Sequence, residues 1–325
     1  MAEKLLIDLG AHFITAQFKG KRIRERNLGV FSKGEELQLV AAGSKAVEVL
    51  QKPLAPNMSV IAPVGSEGIA YPRPAQMILA SILKREYPKL KKSAQVYVTM
   101  RLCTKELQMR VLYNVFKKIG FRDVTLLDSL LALIPFVSLA PVAQIGASGS
   151  DIGILDSNGI IEGCSTSIGG EYLDRLIADK IEAVYKLKIS LAAAEHIKLQ
   201  VGSLIPSDLF STKVSGKNTL TGEILTTTVT TNDIRAEVVA TYTKILEILD
   251  SLFTLLPDKM LDSIAEKAIY ISGGGANIKG IEAFFEDYFR RPILVSSQPE
   301  FDIIEGLAKL AERDKVLANL LKLGR

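Results

Sequence analysis

Three glycine turns, each following a β-branched run, hold the residues best suited to chemistry in this chain. The first is Ile7-Asp8-Leu9-Gly10, leading into Ala11 and His12. The second is Ile168-Gly169-Gly170-Glu171-Tyr172-Leu173-Asp174. The third is Ile271-Ser272-Gly273-Gly274-Gly275-Ala276. Without a Cβ, a backbone can bring its N–H groups close to a phosphate or a base. One such turn is weak evidence; three in this order predict a nucleotide cleft between two related domains. Taken singly, each has a plainer reading. Asp8 also reads as a turn residue ending a strand, Gly273 to Gly275 as a tight strand-to-helix connection, and Glu195 with Lys198 as a helix-surface pair. His12 reads as a phosphate sensor or as a residue filling space.

The elements that position these turns follow from apolar periodicity. Residues 4–9 predict a buried strand, with a hairpin partner over Thr15 to Phe18. A strand is predicted over Leu37 to Val40 and a short helix over Gly43 to Leu50. A helix spans Tyr71 to Arg85, a strand Ala94 to Met100, and an amphipathic helix Thr104 to Ile119, closed by Gly120. Val124 to Leu127 predicts a strand, with a helix starting at Ser129. The second half repeats this logic. Strands are predicted over Val142 to Ile145 and Ile152 to Leu155, and Asn158-Gly159 is a hairpin turn signal. Helices follow over Glu171 to Tyr185 and Ala192 to Gly202, with a β-rich stretch over Lys213 to Thr230. A long helix over Asp233 to Leu256 carries Ile234, Val238, Tyr242, Ile245, Leu249 and Leu252 on one side. A strand over Ala268 to Ile271 and a helix over Lys279 to Phe289 complete a weak internal duplication.

Composition narrows the class. The 325 residues suffice for two domains, and 48% hydrophobic with 23% charged residues is a globular balance. A net charge of +4 is small for this length and gives no indication of a nucleic-acid partner. Cys103 and Cys164 lie far apart, and His12 and His196 are the only histidines, so metal clusters and histidine triads lack raw material. The apolar stretch before Asp8 is too short for a signal-peptide core. The uncharged run Ser129 to Ser150 approaches membrane-spanning length, but Pro135 and Pro141 interrupt it, so it reads as helix, loop and buried strand. The expectation is a cytoplasmic protein.

These residues resemble the actin/hexokinase/heat-shock ATPase superfamily and, within it, the MreB-like bacterial actins. The likeness runs nearly end to end. Ile7 to Gly10 matches the first phosphate turn, and Val40-Ala41-Ala42-Gly43 the edge of the small subdomain. Pro63 to Ala70 resembles the family's PLKDGVIAD segment, and Ile168 to Asp174 its VGGDELD. Ala194-Glu195-His196-Ile197-Lys198 matches AEEIK, Lys213 to Gly222 resembles VKGRDLVTG, and Ser272 to Ala276 with Gly280 matches TGGGALLRG. The resemblance implies an α/β, actin-like (ribonuclease H-like) two-domain fold with mixed sheets flanked by helices. Domain I is then 1–140 plus 308–325, and domain II 141–307 with a small subdomain at about 186–233. It implies ATP and Mg²⁺ as cofactors. The implied nucleotide contacts are Gly10, Ala11, His12, Gly146, Ser148, Gly169, Gly170, Glu195, Lys198, Gly273, Gly274 and Gly275. Glu195 and Lys198 belong to the ribose and base side, and Asp8 holds Mg²⁺ through water.

The departures matter more. The family's DLGTANT is here Asp8-Leu9-Gly10-Ala11-His12-Phe13-Ile14, and DIGGGTT is Gln144-Ile145-Gly146-Ala147-Ser148-Gly149-Ser150. Gln144 hydrogen-bonds but carries no charge to compensate Mg²⁺. Ser129 stands where the family has the Glu that positions the attacking water. Positioning is most of phosphoryl-transfer catalysis, so the chain is expected to be at most a weak ATPase. The resemblance implies self-association into filaments for cell shape or intracellular organisation, with the inner membrane surface and cell-shape or division proteins as partners. Two segments bear on the membrane: the cationic turn Tyr87 to Lys92, and the tail from Lys315 to Arg325, with Val316, Leu317, Leu320 and Leu321 on one face and Lys315, Lys322 and Arg325 around it. Such a tail either packs on domain I or anchors an adaptor, as in FtsA. The alternatives are therefore a non-polymerising FtsA-like membrane adaptor and an active ATPase of the superfamily.

Overall fold

The computed structural model describes residues 3–323. It divides into two compact units, the first running to Phe136 and resuming at Phe301, the second spanning Val137–Glu300.

The first unit opens with β1 (Lys4–Leu9), β2 (Phe13–Phe18) and β3 (Lys21–Arg26). A small sheet follows from β4 (Gly29–Lys33), β5 (Leu37–Ala42) and, after α1 (Ser44–Val49), β6 (Met58–Ile61). The ribbon of β7 (Val64–Gly65) and β8 (Gly68–Ile69) leads into α2 (Pro72–Glu86), β9 (Gln95–Met100), α3 (Glu106–Ile119) and β10 (Asp123–Asp128). The main sheet is ordered β10-β9-β1-β2-β3. β1 and β2 are antiparallel, whereas β9 lies parallel to both β1 and β10. Leu5, Ile7, Ile14, Ala16, Val96 and Val98 of this sheet pack against Ile78 and Ile82 of α2 and Phe116 of α3. α3 stops at Gly120, whose left-handed φ of 110° suits a residue without Cβ. The helix expected from Ser129 is instead a 3₁₀ stretch, Ser129–Phe136. Pro135 supplies no N–H and disfavours helical backbone at Ile134, which keeps the turns tight.

The second unit repeats the plan. It contains β11 (Leu139–Ile145), β12 (Ser150–Asp156), β13 (Gly159–Thr166), α4 (Gly170–Tyr185), β14 (Leu187–Lys188), α5 (Leu191–Val201), β15 (Ser211–Asn218) and β16 (Ile224–Thr230). α6 (Thr231–Phe253), α7 (Asp258–Ile264), β17 (Ile269–Ser272), α8 (Ile281–Phe289) and β18 (Ile293–Val295) complete it. Its main sheet is ordered β13-β12-β11-β17-β18, with β11, β17 and β18 parallel and β12 and β13 antiparallel. This is the order and direction of the first unit's sheet, so the suspected duplication is a real repeat of topology. The Asp156 carboxylate accepts the N–H groups of Asn158 and Gly159 and sets the β12–β13 turn. The predicted stripe on α6 is buried throughout, in one core with Ile152 and Ile154 of β12. β14, β15 and β16 form a separate small sheet.

The chain returns to the first unit through α9 (Asp302–Ala311) and α10 (Asp314–Leu323). The whole of α9 belongs there, so the two units divide at 136/137 and 300/301. Gly306 of α9 sits so close to the Ala132 carbonyl that no Cβ would fit, and Lys4 of β1 donates to the Ala311 carbonyl. On α10, Leu317 and Leu320 are buried. The side chains of Lys315, Leu321 and Lys322, and residue Arg325, lie outside the described residues. Among the described residues no helix is long and apolar enough to cross a membrane.

α6 begins in a capping box in which Thr230 and Asp233 bond reciprocally. Burial works to raise the Asp233 carboxyl, but the hydroxyl and N–H of Thr230 and the Tyr185 hydroxyl outweigh it and hold the group below its ordinary value. A carboxyl depressed in the folded state stabilises above its unfolded pKa, and that stability fades as pH falls through the folded value. Asp233→Asn should therefore cost roughly 1 kcal/mol at neutral pH in urea unfolding. The gap from wild type should narrow as pH falls below about 4, and a gap independent of pH would show that the charge is not what caps the helix.

Candidate functional site

In the first unit, parallel β1, β9 and β10 bring Leu9, Met100 and Asp128 to one end of the sheet, the carboxyl end at which open α/β sheets take ligands. The Gly10-Ala11-His12 turn sits there. Gly10 N–H bonds Phe13 O at 2.9 Å. Asn27, buried just past β3, ties the turn twice: its N–H reaches His12 O at 2.8 Å, and its amide reaches Gly10 O at 2.7 Å. Asp8 lies opposite Thr99 in the β1–β9 pairing, and the Thr99 hydroxyl donates to Asp8 Oδ1 at 2.6 Å. That bond fixes the carboxylate's orientation. Ser129 follows β10 directly and is buried.

In the second unit, parallel β11 and β17 likewise end together, with Gln144 paired to Ser272. The turn after β11 and the turn before α4 are zipped backbone to backbone. Gly170 N–H reaches Gly146 O at 2.9 Å, and Glu171 N–H reaches Ala147 O at 2.8 Å. Ser148 is buried, and Ser150 donates to Ile168 O at 2.7 Å. A Cβ on Gly169 would lie 2.7 Å from Gly146 O and Gly149 N, so position 169 requires glycine. The third turn presses on Ile145, the last residue of β11. Gly273, at φ 85°, leaves 2.4 Å between an added Cβ and the Ile145 carbonyl, and at Gly275 the corresponding gap to Ile145 Cγ2 is 2.2 Å. A Cβ added at Gly274 would meet nothing within 4 Å beyond its own chain neighbours. Gly146, Ser148, Gly169, Gly170, Gly273, Gly274 and Gly275 thus belong to one arrangement.

Lys198 joins it from α5. Its ammonium pairs with Asp174 of α4 at 2.8 Å and donates to Gly170 O at 3.1 Å. Glu195, half-buried, lies three residues earlier on the same helix. Tyr242 of α6 donates to Gly275 O at 2.6 Å, and burial, with Asp174's charge adding to it, pushes its phenol well above the ordinary range, so it stays a donor.

Thr99, Asn27 and Asp151 were not expected from sequence; Asp174 was read only as the end of the second turn's motif and Tyr242 only as part of the apolar stripe on α6. Thr99 is the one aliphatic hydroxyl residue in the strand Gln95–Met100, and Asn27 follows the charged run Lys21–Arg26; both are signals that sequence alone offers. Asp151 lies directly across from Gln144, fully buried and accepting the Ser165 hydroxyl, so a carboxylate does stand beside position 144. Among the described residues no three or more His, Cys, Asp or Glu gather as a metal site. The donor set suits a largely hydrated Mg²⁺, which takes one or two carboxylates and otherwise relies on substrate phosphates. Asp8, its carboxylate held by Thr99, is the residue that would hold such an ion, and the backbone turns would suit phosphates.

The family model for the MreB/Mbl protein matches residues 2–319. The cell shape-determining protein MreB of Escherichia coli K12 is 23% identical over 323 residues, covering 95% of this chain and 93% of that one. Among solved structures, MreB5 of Spiroplasma citri bound to AMPPNP superposes with a TM-score of 0.87 at 24% identity, covering 97% of both chains. A MamK double helical filament subunit gives 0.78 at 16% identity, covering 95% of this chain and 99% of that one. The fold is actin-like, and the chain belongs to the MreB/Mbl family.

Proposed function

We propose that this MreB/Mbl member is an ATP-binding, filament-forming cytoskeletal protein of cell shape or intracellular organisation, and that it hydrolyses ATP slowly. One observation carries the reading. Each unit places glycine turns at the carboxyl end of its parallel strands, while Gln144 and Ser129 occupy the acidic positions of the family pattern. Backbone-lined turns bind phosphate without acidic side chains, whereas the chemical step depends on positioned charge. Family membership supports the cell-shape role, and the nucleotide of the MreB5 relative and the filament of the MamK relative support binding and assembly. A head-to-tail contact between identical subunits does not close and makes protofilaments. Mg²⁺ would be held by Asp8 through water and would supply charge for the phosphates.

The inner face of the membrane belongs to the same proposal. Lys89, Lys91 and Lys92 are exposed on a turn that is firmly anchored: buried Tyr87 donates to Ala16 O at 2.8 Å. The adaptor alternative would need the apolar face of the tail, of which Leu317 and Leu320 are already buried while Val316 is exposed.

Sedimentation with ATP, with a non-hydrolysable analogue and without nucleotide tests assembly. Filaments are expected with ATP and analogue alike, with phosphate release at least about 100-fold slower than from a bacterial actin retaining both acidic residues. Equal release rates would overturn slow hydrolysis, and no filaments under any condition would favour the adaptor. Gly274→Ala should leave the melting temperature unchanged, since its Cβ meets nothing, and weaken ADP binding about tenfold by intruding where the base would lie. Replacing Lys89 and Lys91 with Gln should reduce binding to anionic vesicles at low salt, each lysine near the surface contributing about 1 kcal/mol, and unchanged binding would remove this turn from the membrane reading.

A further inference from the structure

Lys198 is the obvious side chain to offer a ribose or a phosphate, yet its surroundings give the ammonium another task. Asp174, at 2% exposure, lies 2.8 Å from it, and Lys198 itself retains 15% exposure. A carboxylate this deeply buried needs its counter-charge, because removing one partner of a buried pair leaves the other uncompensated. The ammonium also donates to the carbonyl of Gly170, which opens α4. Asp174 is one helical turn further along α4, on the same face as Gly170. On the other side, Tyr242 of α6 holds the Gly275 carbonyl, with Asp174 near enough to act on its phenol. Three helices thus meet at Asp174, and two of them grip the carbonyls of two different glycine turns.

We propose that Lys198, Asp174 and Tyr242 are positioning residues that hold the Gly169–Gly170 and Gly273–Gly275 turns at the spacing an adenine nucleotide requires, with the Lys198 ammonium committed to Asp174 and Gly170 rather than to the ribose. The proposal rests on the nucleotide reading above. It differs from a direct ribose contact in a measurable way. If Lys198 acts through its pair, neutralising Asp174 disables the same device as neutralising Lys198. If Lys198 touches the ribose, neutralising Asp174 frees the ammonium for the ligand.

A double-mutant cycle read by calorimetric titration with ADP decides the matter. Asp174→Asn and Lys198→Gln are each expected to weaken ADP binding about tenfold, and the double variant by no more than either alone. Asp174→Asn binding ADP as well as wild type, with Lys198→Gln equally damaging in either background, would overturn the proposal. Should a single variant fail to fold, the double variant, which leaves no unpaired buried charge, and Tyr242→Phe carry the test. Tyr242→Phe is expected to weaken ADP and adenosine while leaving inorganic triphosphate binding unchanged, a split that general loss of stability would not produce. Equal effects on all three ligands, or none, would overturn the assignment of Tyr242. A wild-type chain that binds no ADP at all would overturn the nucleotide reading and this proposal with it.

Discussion

Ile145 leaves no room for a Cβ at positions 273 and 275, and much of the second unit depends on that close approach. The carbonyl of Ile145 ends β11, its side chain fills the floor of the third turn, and the next residue starts the turn that zips onto Gly170. A larger residue at either glycine would part the third turn from the strand that carries the second. Packing of glycine backbone against the backbone of Ile145 at position 273, and against its β-branched side chain at 275, is stiff, because little there can rotate away. Such stiffness suits a surface whose N–H groups must already point at a ligand before it arrives.

The two units solve the same problem with the same topology and different second layers. In each, an antiparallel ribbon of three strands flanks parallel strands whose carboxyl ends gather the turns. The first unit fixes its turn with side chains, Asn27 and Thr99, around Asp8. The second fixes its turns with backbone hydrogen bonds and the Lys198–Asp174 pair. None of these contacts is made by the side chain of Gln144 or Ser129.

The fold was legible in the sequence because the glycine turns are short, ordered and tied to apolar strands, and because the α6 stripe repeats cleanly. β3 escaped because Lys21–Arg26 alternates charge and apolar residues on an edge strand, where solvated side chains blur the pattern. The Ser129–Phe136 stretch escaped because an unbroken apolar run has no period to separate a helix from tight 3₁₀ turns. In the candidate site, glycines announced themselves while their supports did not. Asp174 and Tyr242 sit at ordinary helical positions, and only burial and distance reveal what they hold.

The return of the chain to its starting unit governs the order of folding during synthesis. Lys4 bonds Ala311 across a separation of 307 residues, and α9 packs on the 3₁₀ stretch that ends the first pass through that unit. The second unit, continuous from Val137 to Glu300, has every strand of its sheet before α9 emerges from the ribosome. The first unit, although begun first, must wait with one face of β1 and β2 uncovered until the final helices arrive. Its edge strand, dense in arginine and lysine, meets that interval with charge rather than with an apolar edge open to pairing.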